Sequence, residues 1–297
     1  MKLVNNIIKR SIWYRSNFPH IKDYQKLRRG LDYLCFGSSP ARYAIDFNSE
    51  NINGCNLAVL AETIAYDEKI LKQYHSYLKE NGCVIFVLCP FTFLKDKYRK
   101  EDGNSLYLNV RYYPILPYSM IDGLDERMFE KWNNPISFGP KVWMKIAWRQ
   151  FFRTSYSQEN TIPCNEFQIH AKKRIDAWMK EFKLDDLNTD NMPDEIRRAI
   201  DNNISAFLRI KKFTEINRYK CIVIVPPFTK ELTSMIPSSF INYSLFNPII
   251  EIGLPYISYW NKEEWMKDEF FKDSFLMSTI GRYQLTNDVL SKINCRI

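Results

Sequence analysis

The apolar run at residues 33–36 leads directly into Gly37-Ser38-Ser39-Pro40-Ala41-Arg42-Tyr43, a tight turn followed by helix-forming residues. A strand that passes into a helix through so short a turn is the building unit of an α/β sheet. The turn then stands at the carboxyl end of a parallel strand, where open sheets of this kind hold their ligands. The same rhythm recurs downstream. Residues 55–60 read as a second strand, and 68–80 as a helix with Ile70, Leu71, Tyr74 and Leu78 on one face and Asn81-Gly82 as its stop. The Val-Ile-Phe-Val-Leu core of 83–89 is the strongest buried-strand signal, 221–225 is a fourth strand ended by Pro226-Pro227, and 256–259 is a fifth. Helices are predicted over 165–182, from Pro193 onward with Ile196, Ile200, Ile204, Phe207 and Leu208 as the buried stripe, and over 278–293 with Ser278 or Thr279 at the cap. The predicted architecture is an α/β/α sandwich of three layers around a mostly parallel five-stranded sheet.

Residues 95–163 break this rhythm. They are rich in aromatic side chains, among them Tyr107, Tyr112, Tyr113, Trp132, Trp143 and Trp148, with turns at Asp102-Gly103 and Asn133-Asn134-Pro135. They are expected to form an insertion over the carboxyl edge of the sheet, inside a single domain spanning 1–297, because no linker separates independent domains. Two roles stand open for the aromatics: packing the insert, or lining a sugar-facing or acyl-facing wall.

The formal charge of +8 arises from 42 basic residues scattered among 34 acidic ones, with no basic block of five or more, so nucleic acid is not an expected partner. The surplus suits weak attraction to an anionic membrane surface or an acidic glycan, and a short amphipathic N-terminal helix suits contact with a membrane or with polysaccharide machinery. Seven cysteines without a C-x-x-C pair match neither a disulfide framework nor a zinc cage, and Cys35, Cys83, Cys89 and Cys221 fall in or beside apolar strands. A reducing cytoplasm is the expected compartment. Residues 1–15 lack the apolar stretch of a secretory signal, and no run approaches the roughly 18 residues of a membrane span. Three dispersed histidines and the absence of a glycine-rich phosphate loop leave no expected metal or cofactor.

Serine ester chemistry needs a nucleophilic hydroxyl, a base to take its proton, an acid to orient that base, and donors for the oxyanion. Ser39 is the candidate nucleophile, with Gly37 and Ser38 shaping a turn whose N–H groups can face an oxyanion, and Asp273 is the candidate orienting acid. His75 and His170 read as solvated helix positions, and His20 lies in a segment the pattern leaves unplaced. Asp67-Glu68, Asp185-Asp186 and Glu263-Glu264 read as helix-start or surface charges.

Taken in order, Phe36-Gly37-Ser38-Ser39 after the first strand, Asn56-Leu57-Ala58 at the second, Cys89-Pro90-Phe91-Thr92 after the third, Val225-Pro226-Pro227 at the fourth and the run from Asp273 through Ser274-Phe275-Leu276-Met277 to Gly281-Arg282 resemble the SGNH (GDSL-like) hydrolase superfamily. More narrowly, the chain resembles SGNH-like proteins of bacterial surface-polysaccharide gene clusters. The likeness covers residues 32–96 and 220–297, about half the chain. It implies that the family's Gly-Asp-Ser block falls on Gly37-Ser38-Ser39, with Ser39 as nucleophile and Ser38 where aspartate is common. The family's oxyanion glycine has no clear counterpart, Ala61 standing closest with Asn56 and Gly54 nearby. Where a Gly-x-Asn-Asp block would follow the third strand, this chain has Cys89-Pro90-Phe91-Thr92, which makes Thr92 the substitute for the asparagine donor. The Asp-x-x-His block falls on Asp273-Ser274-Phe275-Leu276, so Leu276 occupies the histidine position.

A leucine can neither accept the serine proton nor return it. The resemblance therefore implies one of two functions: a serine esterase or O-acyltransferase acting on an acylated carbohydrate or small ester through an unusual base, or a pseudoenzyme that binds an acylated glycan or a biosynthetic partner. In either case Ser39 and Asp273 are expected to converge on one cleft, while the oligomeric state stays open.

Overall fold

The computed structural model describes residues 2–48, 52–152 and 161–296. In chain order the principal elements are α1 (Lys2–Lys9), α2 (Ile12–Asn17), α3 (Ile21–Tyr24), β1 (Leu31–Gly37), α4 (Ser39–Ala44), β2 (Gly54–Asn56), α5 (Ile64–Tyr74) and β3 (Leu78–Val87). They are followed by α6 (Glu126–Asn133), α7 (Pro140–Phe152), α8 (Phe167–Phe182) and α9 (Asp194–Ile216). The chain then runs through β4 (Lys220–Val225), three short helices, α10 (Lys230–Ser234), α11 (Ser238–Ile241) and α12 (Asn247–Ile252), then β5 (Tyr256–Ser258) and α13 (Thr279–Arg296).

The polypeptide divides into two compact units, Met1–Leu27 with Tyr98–Glu159, and Arg28–Lys97 with Asn160–Ile297. The larger unit holds the sheet, whose strands lie in the order β2-β1-β3-β4-β5 and pair in parallel throughout. Alternation along the strands explains the layers. Cys35, Ile85, Val87, Ile222, Ile224 and Ile257 face one way into a core completed by Ala41 and Ala44 of α4 and by Leu285, Val289 and Ile293 of α13. Phe36 and Phe86 face the other way, stacked 5.3 Å apart, and Phe86 meets Phe207 of α9 edge-on at 5.1 Å. Strands covered on both faces read as continuous apolar runs, and Val84, Ile85, Phe86 and Val87 are at most 1% exposed. Each such side chain contributes about 1.5–3 kcal/mol of burial.

Several boundaries differ from the sequence pattern: the strand expected over 55–60 is Gly54–Asn56, and the one expected over 83–89 is Leu78–Val87. The helix expected over 68–80 is Ile64–Tyr74, and Asn81-Gly82 lies inside β3, where Asn81 takes a φ of 58° near a register shift against β1. An Asn-Gly pair serves a strand irregularity as readily as a helix stop. Leu208 of the predicted α9 stripe is 44% exposed, and Ile210 is buried instead. At the other end, Ser278 does cap α13, its Oγ accepting the Gly281 N–H at 3.2 Å.

The smaller unit gathers the N-terminal helices with most of the expected insert, whose residues 153–160 lie outside the described ones. Its core is an aromatic nest in which Trp13 stacks on Trp132 at 5.4 Å, while Phe18 and Phe138 meet Trp132 edge-on at 4.9 and 4.8 Å. The Tyr14 hydroxyl donates to the Trp132 carbonyl at 3.0 Å. Tyr112 and Tyr113 are each 1% exposed. For these side chains packing is the observed role. The chain crosses between the units more than once, so no single linker marks the division, and a sequence reading of one domain with an insert overlooks it.

Gly37 has a φ of 121°, and a Cβ built there would lie 2.5 Å from the Val87 carbonyl oxygen of β3. Gly37→Ala is therefore expected to destabilise the fold by about 2–4 kcal/mol, read as a lower urea midpoint with an unchanged m-value. An unshifted midpoint would show that β1 and β3 do not meet this closely.

Candidate functional site

In the order β2-β1-β3-β4-β5 the direction of winding reverses at β1, so the crevice of the sheet opens between the carboxyl ends of β1 and β3. Gly37, Ser38 and Ser39 form the β1 side of that crevice. Ser38 and Ser39 are partly exposed, and Ser39 is the first residue of α4. Among the described residues no acceptor meets the Ser38 or Ser39 N–H and no partner meets the Ser39 hydroxyl, so these groups are not committed within the protein. The Gly37 N–H, by contrast, is committed inside the protein to Asp67 Oδ1 at 2.9 Å.

Asp67 and its neighbour Glu68 are not surface charges. Asp67 is 2% exposed at the start of α5, and burial pushes its carboxyl up to about 8, against the lowering effects of hydrogen bonds from Glu62 and the Gly37 N–H. Glu62 in turn accepts the Val59 N–H at 2.9 Å. Its raised pKa keeps the Asp67 carboxyl protonated at neutral pH. Glu68 is satisfied instead by Arg209 of α9 at 2.8 Å and Lys72 at 2.6 Å, which together hold it ionised below the usual carboxylate range despite its burial. The loop leading into α5 contains Ala61, whose φ of 51° is the left-handed conformation that glycine adopts without cost.

The side chains expected as oxyanion or substrate donors are committed elsewhere. The Asn56 amide donates to the Ala41 and Ile45 carbonyls at 2.9 and 2.8 Å, and its Oδ1 accepts the Ala58 N–H at 3.0 Å, so it clips the end of α4 to β2. Thr92 Oγ1 accepts the Cys89 N–H at 2.8 Å and donates to Cys89 Sγ at 3.3 Å, closing the turn after β3. Both residues shape the crevice walls, and neither has a donor left for a ligand.

The block before α13 returns to the same helix. Lys272 is buried with its ammonium 3.6 Å from the centre of the Tyr43 ring of α4, four residues after Ser39. Asp273, also buried, turns Oδ1 inward to accept the Phe275 and Leu276 N–H groups, each at 2.8 Å. The Thr229 hydroxyl, after β4, donates to the Ser274 carbonyl at 3.2 Å, and Phe275 stacks on Phe228 at 5.3 Å. Three widely separated segments, α4, residues 228–229 and residues 272–276, thus meet.

The histidine that sequence reasoning placed in solvent joins them. His170, on α8, has Nδ1 2.8 Å from Ser274 Oγ, and the carboxylate of Asp273 is close enough to act on it electrostatically. Burial lowers the imidazole's pKa, Arg174 and Lys173 reinforce that, and Asp273 opposes it, leaving a neutral ring at pH 7. A neutral imidazole held at one nitrogen is a competent proton acceptor at the other. The other two histidines are structural. His75 packs edge-on against Phe213 at 5.1 Å and meets the Tyr219 hydroxyl at 3.2 Å, a packed position where solvent was expected, and His20 is 2% exposed between Phe18 and Tyr24 in the smaller unit. No imidazole nitrogen hydrogen-bonds to Ser39 among the described residues.

Sequence patterning missed His170 because α8 carries its own apolar face, and only the fold reveals that a loop a hundred residues downstream closes over the opposite side. Asp67 and Glu62 were missed because a carboxylate at a helix start is ordinarily solvated. Among the described residues no group of three or more His, Cys, Asp or Glu could hold a metal ion. All seven cysteines are free, five of them buried. No protein-family model matches the chain, and no curated protein matches it either.

The Asp67 carboxyl predicts a pH dependence. Its folded pKa is raised above the unfolded value of about 4, so the folded state binds the extra proton between about pH 4 and 8, and stability falls as pH rises through that window. The side-chain amide of an Asp67→Asn variant would still accept from Gly37 without a charge to desolvate. The stability difference between the two proteins is expected to move toward the variant by about 1 kcal/mol per pH unit from pH 5 to 8, measured by urea unfolding. A difference that does not change with pH would mean that Asp67 is ionised in the fold.

Proposed function

We propose that this chain is a serine esterase or O-acyltransferase of the SGNH type, acting on an acylated carbohydrate in surface-polysaccharide metabolism, with His170 supplying the imidazole missing at Leu276. The single observation that carries this reading is the placement of His170, whose Nδ1 lies against Ser274 Oγ within electrostatic reach of Asp273, so that α8 would supply the imidazole from a different element of the fold. The strand order, with Gly37-Ser38-Ser39 at the crevice, supports it. The uncommitted N–H groups of Ser38 and Ser39 would receive the oxyanion, in place of the committed Asn56 and Thr92. Attack by the Ser39 hydroxyl on the acyl carbon would pass its proton to His170, which would return it to the departing sugar hydroxyl. Water, or an acceptor hydroxyl in a transferase, would then release the acyl group.

A second reading, a pseudoenzyme that binds an acylated glycan or a biosynthetic partner, is favoured by one observation: Ser39 and His170 share no hydrogen bond. Catalytic contacts of this kind often tighten only around substrate, so the two readings part in solution. Hydrolysis of an activated acetyl ester separates them. The enzyme reading expects measurable turnover that falls at least about a hundredfold in Ser39→Ala and in His170→Ala, with a pH profile rising through the His170 titration. Turnover that is absent in the native protein and gained only in Leu276→His would reject it and leave the binding protein.

A further inference from the structure

The smaller unit holds fifteen Lys and Arg against eight Asp and Glu, a net +7, whereas the larger unit carries the remaining +1 of the chain's +8. The chain's surplus of positive charge thus belongs almost entirely to one unit. The same unit exposes large apolar side chains in helical register. On α7, Lys141, Met144, Lys145 and Trp148 succeed one another along one exposed face, with Met144 65% and Trp148 64% exposed. The helix is held on its other side by α2. On α1, Leu3 and Ile7 are 73% and 62% exposed one turn apart, with Arg10 exposed at the end of the helix, while Ile8 turns into the core. Both helices pack against the turn at Pro135–Phe138, and Asn5 of α1 accepts the Ile136 N–H at 3.1 Å.

Isolated exposed apolar residues need no explanation, but tryptophan and methionine alternating with lysine on one helix face do. Tryptophan is suited to the level of lipid headgroups, and lysine can lay its methylene stem along acyl chains while its ammonium reaches the phosphates. We propose that α7 and α1 form a surface that docks on anionic lipid, with Trp148, Met144, Leu3 and Ile7 entering the interface and Lys141, Lys145 and Arg10 pairing with headgroup phosphate. The concentration of net charge in this unit selects an anionic bilayer as the occupant, since an apolar protein groove would gain nothing from it. The docking is peripheral and independent of the chemistry proposed for Ser39.

Co-sedimentation of the full chain with phosphatidylcholine vesicles, with and without about 30% phosphatidylserine, tests this. The native protein is expected to pellet with the anionic vesicles and to be released by salt. Met144→Glu/Trp148→Glu is expected to weaken binding at least about tenfold, and Lys141→Glu/Lys145→Glu to abolish the preference for phosphatidylserine. Far-ultraviolet circular dichroism and the urea midpoint establish that each variant folds. Because all four positions are exposed, Met144→Ser/Trp148→Ser stands in should the acidic pair unfold. Failure of the native protein to pellet, or equal binding by native and doubly substituted proteins, overturns the proposal. So does light scattering that shows a self-associated native protein made monomeric by the same α7 substitutions, which would assign this face to a second copy of the chain.

Discussion

The larger unit is organised by how closely β1 approaches β3 at its carboxyl end. Val87 presents a carbonyl where a side chain on residue 37 would stand, so glycine is required there, and the backbone turns at once into α4. The Gly37 N–H, freed from the ladder, is captured by Asp67, whose buried carboxyl also hydrogen-bonds with Glu62. The pairing of two strands thereby sets the position of Ser38 and Ser39 and explains two carboxyls that would otherwise be costly to bury. The serine turn is a consequence of that backbone geometry.

From this point the site is assembled by convergence. Asn56 clips α4 to β2, Thr92 closes the turn after β3, Thr229 reaches the Asp273 block from β4, and Lys272 ties that block to Tyr43. Several groups that could have served a ligand serve the scaffold instead, which narrows the candidates to backbone N–H groups, the Ser39 hydroxyl and the His170 ring. Under the proposed function the imidazole comes from α8, where His170 Nδ1 lies 2.8 Å from Ser274 Oγ and feels the Asp273 carboxylate, and not from position 276.

The smaller unit follows a different logic. It is built around stacked indoles and phenyl rings, without a sheet among its described residues, and it gathers almost all of the chain's surplus positive charge. Its aromatic residues divide into two populations. Tyr112, Tyr113 and Trp132 pack inward, whereas Trp148 lies on the exposed face of α7. One composition thus supports both a core and a surface, and the distinction rests on helical phase.

The strands at 83–89 and 221–225, the serine turn and the capped last helix were legible in the sequence because each depends on contiguous residues: an apolar run, a glycine next to serine, a serine at a helix start. That the sheet is parallel followed from the alternation of strand and helix, since parallel strands require crossovers. What the sequence could not disclose depends on segments far apart in the chain. The burial of Asp67, the commitment of Asn56 and Thr92, the meeting of His170 with Ser274 and the union of residues 1–27 with 98–159 are products of tertiary packing. The local pattern around each of these residues is the same whether its side chain meets water or another segment, and only the folded chain supplies the second surface that decides between them.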